Sequence, residues 1–302
     1  LLDPGQSRQE ACPEVGVTQG LETTSEYQAA KLVPAQLAKL EPGTGAIDDI
    51  RVLDKVISLL FDNLSLRMPP AVTHVIFDVD GLLLDTEVVY TAASTEVLDK
   101  YGLKLTYAVK RKLMGSKPTE AARILVNELS APFTPEEWHI KVHEKLTPER
   151  WHQVACLPGA ERLVMHLAKH GIPMAAATGC ASKELGEKMK NHQNIWKKLD
   201  HAVASGDDPE VAHGKPKPDI FLIAAQRFTS PPKSMETVLV FEDSPLGVEA
   251  AVKAGMQVVW VSQPEEPPGD APETIAPADR HRVTRYQSLL DFEPQRFGLP
   301  AF

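Results

Sequence analysis

A short apolar run that ends in two aspartates constrains this chain more than any other stretch. Residues 74–77 read His-Val-Ile-Phe and are followed by Asp78, Val79, Asp80 and Gly81. The apolar part is short and rich in branched side chains, which indicates a strand buried on both faces. Side chains two positions apart in a strand point the same way. Asp78 and Asp80 are therefore expected side by side at the carboxyl end of this strand, where open parallel sheets bind ligands.

The rest of the chain alternates strand-like and helix-like segments, beginning with the strand at 73–78. Short apolar runs predict further strands, and segments with one apolar face predict helices between them. This alternation predicts an α/β fold: a Rossmann-like parallel sheet core with helices on both faces. The further strands are expected at 172–178, 201–205, 238–243 and 256–261, with a short one near Val283, and the helices between them at 159–170, 219–228 and 245–254.

A long helical stretch interrupts this alternation directly after the first strand. Residues 86–155 contain several segments with apolar residues at helical spacing, and Thr134 and Glu137 are spaced as a capping box. We therefore expect residues 86–155 to form a small helical cap domain inserted into the core. The α/β hydrolase core is then expected at 70–85 and 156–302.

The amino-terminal segment has a different composition. Residues 1–67 are mostly polar, with scattered Gly and Pro, and are predicted to be an extension that is largely disordered. Within it, residues 47–64 carry apolar side chains at helical spacing, which predicts one amphipathic helix. This helix could pack on the domain or dock a partner. Met68 is a candidate initiator, in which case everything before it is extension.

The bulk composition narrows the class of partner. The formal net charge of the 302 residues is −9, which argues against nucleic-acid binding through a basic face. Cys12, Cys156 and Cys180 form neither a CxxC motif nor a disulfide framework, so a reducing, cytoplasmic setting is expected. No stretch approaches the roughly 20 apolar residues of a membrane span. We expect no membrane partner and take a monomer as the default.

Polar side chains stand at the predicted carboxyl ends of the other strands as well. Because parallel strands end at one edge of a sheet, these side chains are expected beside Asp78 and Asp80. Clustered carboxylates repel one another, and a hard divalent cation such as Mg²⁺, with its oxygen ligands, offsets that repulsion. A lysine and a hydroxyl suit the oxygens of a phosphate group. The residues concerned are Thr178, Lys215, Glu242 and Asp243.

Each of these residues also has a purely structural interpretation when taken alone. An Asp-Gly pair is a common turn signal, and a solvated surface position would suit Lys215. Glu242 and Asp243 fit a helix cap. Cys180 is conceivable as a nucleophile, but the sequence places no histidine beside it. The complete set, in this order along the chain, favours a functional site over separate structural roles.

These residues resemble the sequence motifs of the haloacid dehalogenase-like hydrolase superfamily. The motifs occur in the family's order, with a helical insertion where the family carries its cap, and the resemblance covers about residues 70–300. Gly179 and Cys180 follow the second motif, where relatives usually carry Ser or Asn. Some runs are similar, more narrowly, to animal phosphatases that act on pseudouridine 5′-phosphate. The segments are Asp78-Val79-Asp80-Gly81, Thr178, Lys215 and Glu242-Asp243-Ser244 for the superfamily, and 78–87, 206–211, 214–216 and 297–300 for the narrower likeness.

The resemblance implies a two-step reaction. Asp78 is expected to attack phosphorus and form an aspartyl-phosphate, and Asp80 is expected to act as general acid and then general base. The expected Mg²⁺ ligands are Asp78, the carbonyl of Asp80, Asp243 and Glu242, the last close to the ion or bound through water. The expected phosphate-binding residues are Thr178 and Lys215.

The resemblance also implies that the cap closes over the site and contacts the rest of the substrate. Ser116 and Lys117, on a cap turn, are the expected contacts, although a plain exposed turn explains them equally well. The expected function is Mg²⁺-dependent hydrolysis of a small phosphorylated metabolite, a sugar or nucleotide monophosphate, with pseudouridine 5′-phosphate as the best single candidate. The alternatives are a phosphosugar mutase of the same superfamily and, from another class, a non-catalytic binding module.

Overall fold

Six parallel strands form the centre of the molecule. The computed structural model describes residues 70–302, so the predicted extension and its helix at 47–64 lie outside the described residues. The strand order across the sheet is β3-β2-β1-β4-β5-β6, and every neighbouring pair is parallel. The strands are β1 (His74–Phe77), β2 (Met174–Thr178), β3 (His201–Ala204), β4 (Val238–Glu242), β5 (Gln257–Val261) and β6 (Val283–Tyr286).

Helices and short 3₁₀ turns connect the strands. The helices of the described residues are α1 (Glu87–Leu98), α2 (Tyr107–Leu113), α3 (Pro118–Leu129), α4 (Pro135–His143), α5 (Pro148–Trp151), α6 (Ala160–Lys169), α7 (Ser182–Met189), α8 (Gln193–Trp196), α9 (Asp219–Gln226) and α10 (Pro245–Lys253). The 3₁₀ turns are Asp99–Tyr101, Met235–Thr237, Pro277–Arg282, Leu289–Asp291 and Pro294–Phe297.

The sheet is covered on both faces because successive strand side chains point in opposite directions. Val75 and Phe77 of β1 pack into one apolar layer together with Leu163 of α6. Ile76, between them, packs into the other layer with Ile220 of α9. The predicted fold class, a Rossmann-like parallel sheet with helices on both faces, is therefore confirmed.

The predicted core strands and helices agree with the structure to within two residues at their ends. The sequence reading missed α7 and α8, and it predicted residues 86–155 as helical without assigning α2 and α5 separately. Helix α7 was missed because its eight residues include Gly186 and four lysine or glutamate residues. Its apolar stripe is short, and one of its buried positions is a lysine.

Helices α1 to α5 lie between β1 and β2 and have an apolar cluster of their own. The capping box at the start of α4 is present: Glu137 N–H donates to Thr134 Oγ1 at 3.2 Å, and Thr134 N–H donates to the Glu137 carboxylate at 2.8 Å. Residues 69–302 form one compact unit. The division into a core and a separate cap domain stays a prediction. The clustered residues are Ala93, Val97, Leu98, Ala122, Leu125, Phe133, Trp138 and Val142.

Candidate active site

The sheet topology brings most of the predicted site residues to one edge. Strand β1 lies between β2 and β4, so the residues that end these three strands are neighbours. Asp78 and Asp80 follow β1, Thr178 ends β2, and Glu242 ends β4 with Asp243 directly after it. In open parallel sheets, the side chains at the carboxyl ends of the strands are the ones that contact ligands.

Lys215 joins this group from the loop between β3 and α9. Its Nζ donates to Asp78 Oδ1 at 2.6 Å and to Glu242 Oε1 at 2.5 Å. It also contacts the carbonyl of Ala177 at 3.4 Å. The lysine is buried, which is tolerated because two carboxylates surround it. The interpretation of Lys215 as a solvated surface lysine is therefore wrong.

One lysine does not balance the negative charge at this edge. One carboxylate oxygen from each of Asp78, Glu242 and Asp243 lies within 4.8 Å of the other two. Burial raises the pKa of Asp78 to about 8, although Lys215 opposes the rise. Burial, followed by repulsion from Glu242 and Asp78, holds the pKa of Asp243 well above its ordinary value. An all-oxygen donor set with excess negative charge fits a hard cation such as Mg²⁺.

The two carboxylates at the end of β4, Glu242 and Asp243, differ in how free they are to bind a cation. Both oxygens of Glu242 are occupied: Oε1 accepts from Lys215, and Oε2 accepts from the N–H and hydroxyl of Ser244, each at 3.0 Å. Among the described residues, the only side chain that donates to the Asp243 carboxylate is Gln263, at 3.4 Å. Asp243 and Asp78 are therefore better placed than Glu242 to bind a cation directly.

Asp80 faces a different set of groups from Asp78. Its Oδ2 accepts from the hydroxyl of Thr178 at 2.8 Å, and its Oδ1 accepts from Lys188 Nζ at 2.6 Å. Burial alone would raise the pKa of Asp80, but attraction to Lys188 and these hydrogen bonds outweigh it and lower the pKa. The two aspartates are thus in different electrostatic environments: Asp78 lies among further carboxylates, whereas Asp80 is bound by a lysine and a hydroxyl.

Cys180 does not fit the role of nucleophile. It is buried, and its Sγ lies 3.3 Å from the hydroxyl oxygen of Thr178. Burial raises the pKa of its thiol to about 12, which keeps it protonated at neutral pH.

The predicted cap contacts lie on the turn between α2 and α3. Ser116 donates to the carbonyl of Leu113 at 2.6 Å, and Lys117 Nζ donates to the carbonyl of Val211 at 3.2 Å. Both residues line the cavity beside Asp78. The turn packs directly against the core. At Gly115 it lies so close that an added Cβ would overlap the side chain of Ser244.

The cavity has a volume of about 380 Å³ and extends from the carboxylates between the helices of the insertion. Its wall is mixed: aliphatic and aromatic side chains surround a few polar groups. The polar hydroxyl of Thr91 is buried with no hydrogen-bond partner among the described residues. This volume falls in the range of roughly 300–1,000 Å³ typical of small-molecule sites. Lining residues from the insertion include Tyr90, Thr91, Leu113, Trp138, His139 and His143.

Sequence reasoning missed Lys188, together with Tyr90 and Glu184 that surround it. A signal was available: Leu185, Lys188 and Met189 lie on one face of α7 and are all buried. A lysine in the apolar stripe of a helix needs buried partners. Nothing in the local sequence says which ones, since Asp80 is 108 residues away.

A carboxylate cluster and a buried lysine at the carboxyl edge of a parallel sheet fit phosphoryl chemistry. Residues 75–261 match the haloacid dehalogenase-like hydrolase family. The chain belongs to this family, as the sequence motifs predict, and its enzyme class is phosphatase. Within residues 70–302 there is no helix with the length and apolar character needed to span a membrane.

Several named proteins are similar to this chain. A probable pseudouridine-5′-phosphatase of Drosophila melanogaster is 41% identical over 76% of this chain and 96% of its own length. The (DL)-glycerol-3-phosphatase 2 of Arabidopsis thaliana is 42% identical over 77% of this chain and 93% of its own length. The crystal structure of a hydrolase from Pseudomonas syringae is 26% identical with a TM-score of 0.55, over 72% of this chain and 95% of that one.

Proposed function

We propose that this protein hydrolyses phosphomonoesters of small metabolites through an aspartyl-phosphate on Asp78, with Mg²⁺ as cofactor. The observation that carries the proposal is the position of Asp78. It is buried beside Lys215 and two further carboxylates, and it lines a cavity large enough for a metabolite. A carboxylate needed only for stability would not be placed in such a charged, desolvated cluster.

In the first step, an oxygen of Asp78 attacks phosphorus and the bond from phosphorus to the ester oxygen breaks. The electron pair stays on the leaving oxygen, which takes a proton from Asp80 and departs as an alcohol. In the second step, Asp80 accepts a proton from water, whose oxygen attacks the phosphorus of the aspartyl-phosphate. The bond between phosphorus and Asp78 then breaks, which releases phosphate and restores both side chains.

The side chains of Asp78 and Asp243 and the carbonyl of Asp80 would hold Mg²⁺, with Glu242 supporting it from one side or through water. A bound cation would supply positive charge between the attacking carboxylate and the phosphate, two anions that must approach each other. Lys215 would move one of its hydrogen bonds from Asp78 to a phosphoryl oxygen. Thr178 would likewise move the hydrogen bond of its hydroxyl from Asp80 to a phosphoryl oxygen.

For the substrate we propose a nucleotide-like monophosphate, with pseudouridine 5′-phosphate first. The cavity continues past the carboxylates between the insertion helices, and Ser116, Lys117 and Thr91 line it. A ring and sugar would use this space, and the hydroxyl of Thr91 would gain a partner. We further propose that the insertion acts as a cap that closes over bound substrate, and that the enzyme works as a monomer in a reducing, cytoplasmic setting, where Cys156 and Cys180 stay unpaired.

Glycerol 3-phosphate is the second candidate substrate, because the Arabidopsis relative named for it is as similar to this chain as the Drosophila one. A three-carbon alcohol would leave most of the cavity filled with water. The two candidates therefore differ in whether the bound substrate reaches Thr91. Thr91→Val, which keeps the shape and removes the hydroxyl, should raise KM for pseudouridine 5′-phosphate and leave KM for glycerol 3-phosphate unchanged.

The proposed mechanism predicts that Asp78→Asn abolishes phosphate release. The amide keeps the shape but is a far weaker nucleophile, so kcat should fall by at least about 10³-fold, of the order seen when covalent catalysis is lost. The measurement is phosphate release from a panel of phosphomonoesters, with Mg²⁺ and with a chelator. Asp270→Asn, on an exposed loop, is the matched control and should keep full activity.

Three results would redirect the proposal. Undiminished turnover by Asp78→Asn would contradict the aspartyl-phosphate mechanism. Appearance of an isomerised sugar phosphate in place of free phosphate would favour the mutase. No turnover of any ester by the parent protein, together with capture of a partner that depends on residues 47–64, would favour a binding module.

A further inference from the structure

Lys188 is a fully buried cation that the proposed reaction does not use. Its side chain has no solvent exposure, and its Nζ lies 2.6 Å from Asp80 Oδ1, 2.6 Å from Glu184 Oε1 and 2.7 Å from the hydroxyl of Tyr90. It also lies over the rings of Tyr90 and Trp151, at 4.9 and 4.7 Å from their centroids. Burying a lysine this completely is costly unless every donor finds a partner, and here each one does.

These partners come from two parts of the chain. Lys188 and Glu184 lie on α7, which follows β2 in the core, whereas Tyr90 lies on α1 and Trp151 on α5 of the insertion. The hydroxyl of Tyr90 donates to Glu184 while it contacts Lys188. Lys188 is therefore held in place from both sides. A lysine that only balanced charge would need the two carboxylates, but it would not need the contacts with Tyr90 and Trp151 as well.

These contacts restrict the side chain of Asp80. In this structure one of its carboxylate oxygens is bound by Lys188 and the other by Thr178. If Thr178 turns to the phosphate, as proposed, Lys188 is the group that still holds the Asp80 carboxylate. Asp78 is bound by a different lysine, Lys215. The two aspartates are thus positioned independently, although only one residue separates them.

We propose that Lys188 is a positioning residue that fixes the Asp80 carboxylate for proton transfer, and that Tyr90 and Glu184 hold Lys188 for this task. The inference rests on the proposed function, since it assigns a supporting residue to the proton carrier of that reaction. Lys188 touches neither Asp78 nor the cluster with Asp243. It is expected to affect the proton transfer and not the attack on phosphorus.

The test compares two leaving groups. An alkoxide leaves poorly without a proton, whereas p-nitrophenolate is a stable anion and leaves without one, so only the first depends on a well-placed acid. The substrates are p-nitrophenyl phosphate and an aliphatic ester, either pseudouridine 5′-phosphate or glycerol 3-phosphate, whichever the parent hydrolyses faster. The quantity measured is kcat/KM with saturating Mg²⁺, because it reports the steps up to the first irreversible one and excludes hydrolysis of the aspartyl-phosphate.

Lys188→Met should lower kcat/KM for the aliphatic ester by about tenfold or more, a part of the roughly 10²–10⁴-fold that a positioned acid contributes. For p-nitrophenyl phosphate the loss should stay within about threefold. If Lys188→Met folds poorly, the variant that combines Lys188→Met with Glu184→Gln replaces it, because this pair keeps the net charge of the buried cluster. It should show the same difference between the two substrates. Lys253→Met, which removes an ion pair with Glu249 on the surface of α10, is the control and should change neither value.

A double-mutant cycle with Asp80→Asn separates positioning from general damage. If Lys188 acts through Asp80, Lys188→Met should cause no further loss for the aliphatic ester once Asp80 is an amide. Equal losses for both substrates, or a full additional loss in the Asp80→Asn background, would overturn the positioning role and leave the phosphatase standing. A parent protein that hydrolyses neither ester would overturn the proposed function, and the positioning role with it.

Discussion

At the scale of single residues, the site combines two carboxylates with opposite tendencies. Asp78 has its pKa raised to about 8 by burial, with repulsion from Glu242 adding to it, and Asp80 has its pKa lowered because Lys188 outweighs burial. The pKa of Asp243 is raised as well, again mainly by burial. In the absence of a cation, Asp78 and Asp243 therefore oppose folding in their charged forms. A bound cation would reverse this contribution.

The sign of the pH dependence follows from linkage. The folded protein holds the protons of Asp78 and Asp243 well above their ordinary pKa of 3.8, so it binds more protons than the unfolded chain between about pH 4 and about pH 8. Stability without metal should fall as the pH rises through that window. Asp243→Asn should weaken this fall, and Mg²⁺ should raise the unfolding temperature of the parent by at least about 2–4 °C, roughly 1 kcal/mol for a domain of this size.

The measurement is thermal unfolding at about pH 5 and about pH 8, in chelator and in Mg²⁺. Asp270→Asn is the control for loss of one surface charge. An equal response of Asp243→Asn and the parent to Mg²⁺ would contradict the assignment of Asp243 as a ligand.

At the scale of elements, the start of α10 supports the site. Ser244 caps this helix by accepting from the N–H of Gly247 at 3.1 Å, and the same residue donates to Glu242. Glu242 in turn binds Lys215. The helix start, the end of β4 and the lysine loop are therefore connected through one buried carboxylate. The alternative interpretation of Glu242 and Asp243 as helix-cap residues is wrong for the cap itself, because Ser244 occupies that position; Glu242 binds both Ser244 and Lys215.

Gly247 is the point at which this connection can be tested. A Cβ there would overlap the carboxylate of Glu242, which is held by Lys215 and Ser244 and has little room to move. Gly247→Ala should therefore destabilise the protein by about 1–3 kcal/mol and lower kcat, because Lys215 loses its position.

Gly186→Ala is the matched control for this change. Gly186 is exposed on α7 with open space around it, so alanine should be neutral or stabilise the helix by up to about 1 kcal/mol. The measurement is chemical unfolding together with kcat for each variant. Normal activity and stability of Gly247→Ala would contradict the supporting role of Glu242.

At the scale of the whole molecule, the insertion is joined to the core around the site. Arg111 of α2 binds both oxygens of the buried Glu266 at 2.8 Å, and Tyr107 donates to the same carboxylate at 3.0 Å. These contacts, with the enclosure of Lys188, keep the insertion over the carboxylates in this conformation. The catalytic groups and the cavity all lie within residues 69–302, which form one compact unit.

A protein consisting of residues 69–302 should therefore fold by itself and keep the activity of the full chain. Its kcat/KM is expected to agree with that of the full chain within about twofold, since no residue of the proposed reaction is removed. The comparison uses circular dichroism, thermal unfolding and phosphate release from the same ester. A large loss of activity in a folded protein of this length would assign a catalytic role to residues 1–68.

The sequence determined the order of strands and helices and the acidic, lysine and hydroxyl residues at their ends. Both are local: an apolar run of four or five residues predicts a buried strand, and the polar residue after it marks the sheet edge. The six candidate residues at that edge could be named for the same reason, because parallel strands end together. The cap turn with Ser116 and Lys117 was found as a turn, but no local signal says what such a turn contacts.

Only the tertiary structure decided how these groups are paired. Lys215 binds Asp78 and Glu242, Lys188 binds Asp80, and the carboxylate of Asp243 is left with one weak side-chain donor among the described residues. Lys188 and Asp80 are 108 residues apart, and Tyr90 reaches them from a different helix. Their contact depends on how α7 and the insertion pack against the sheet edge. Packing of this kind is set by the shapes and volumes of many side chains together, which no local pattern in the sequence records.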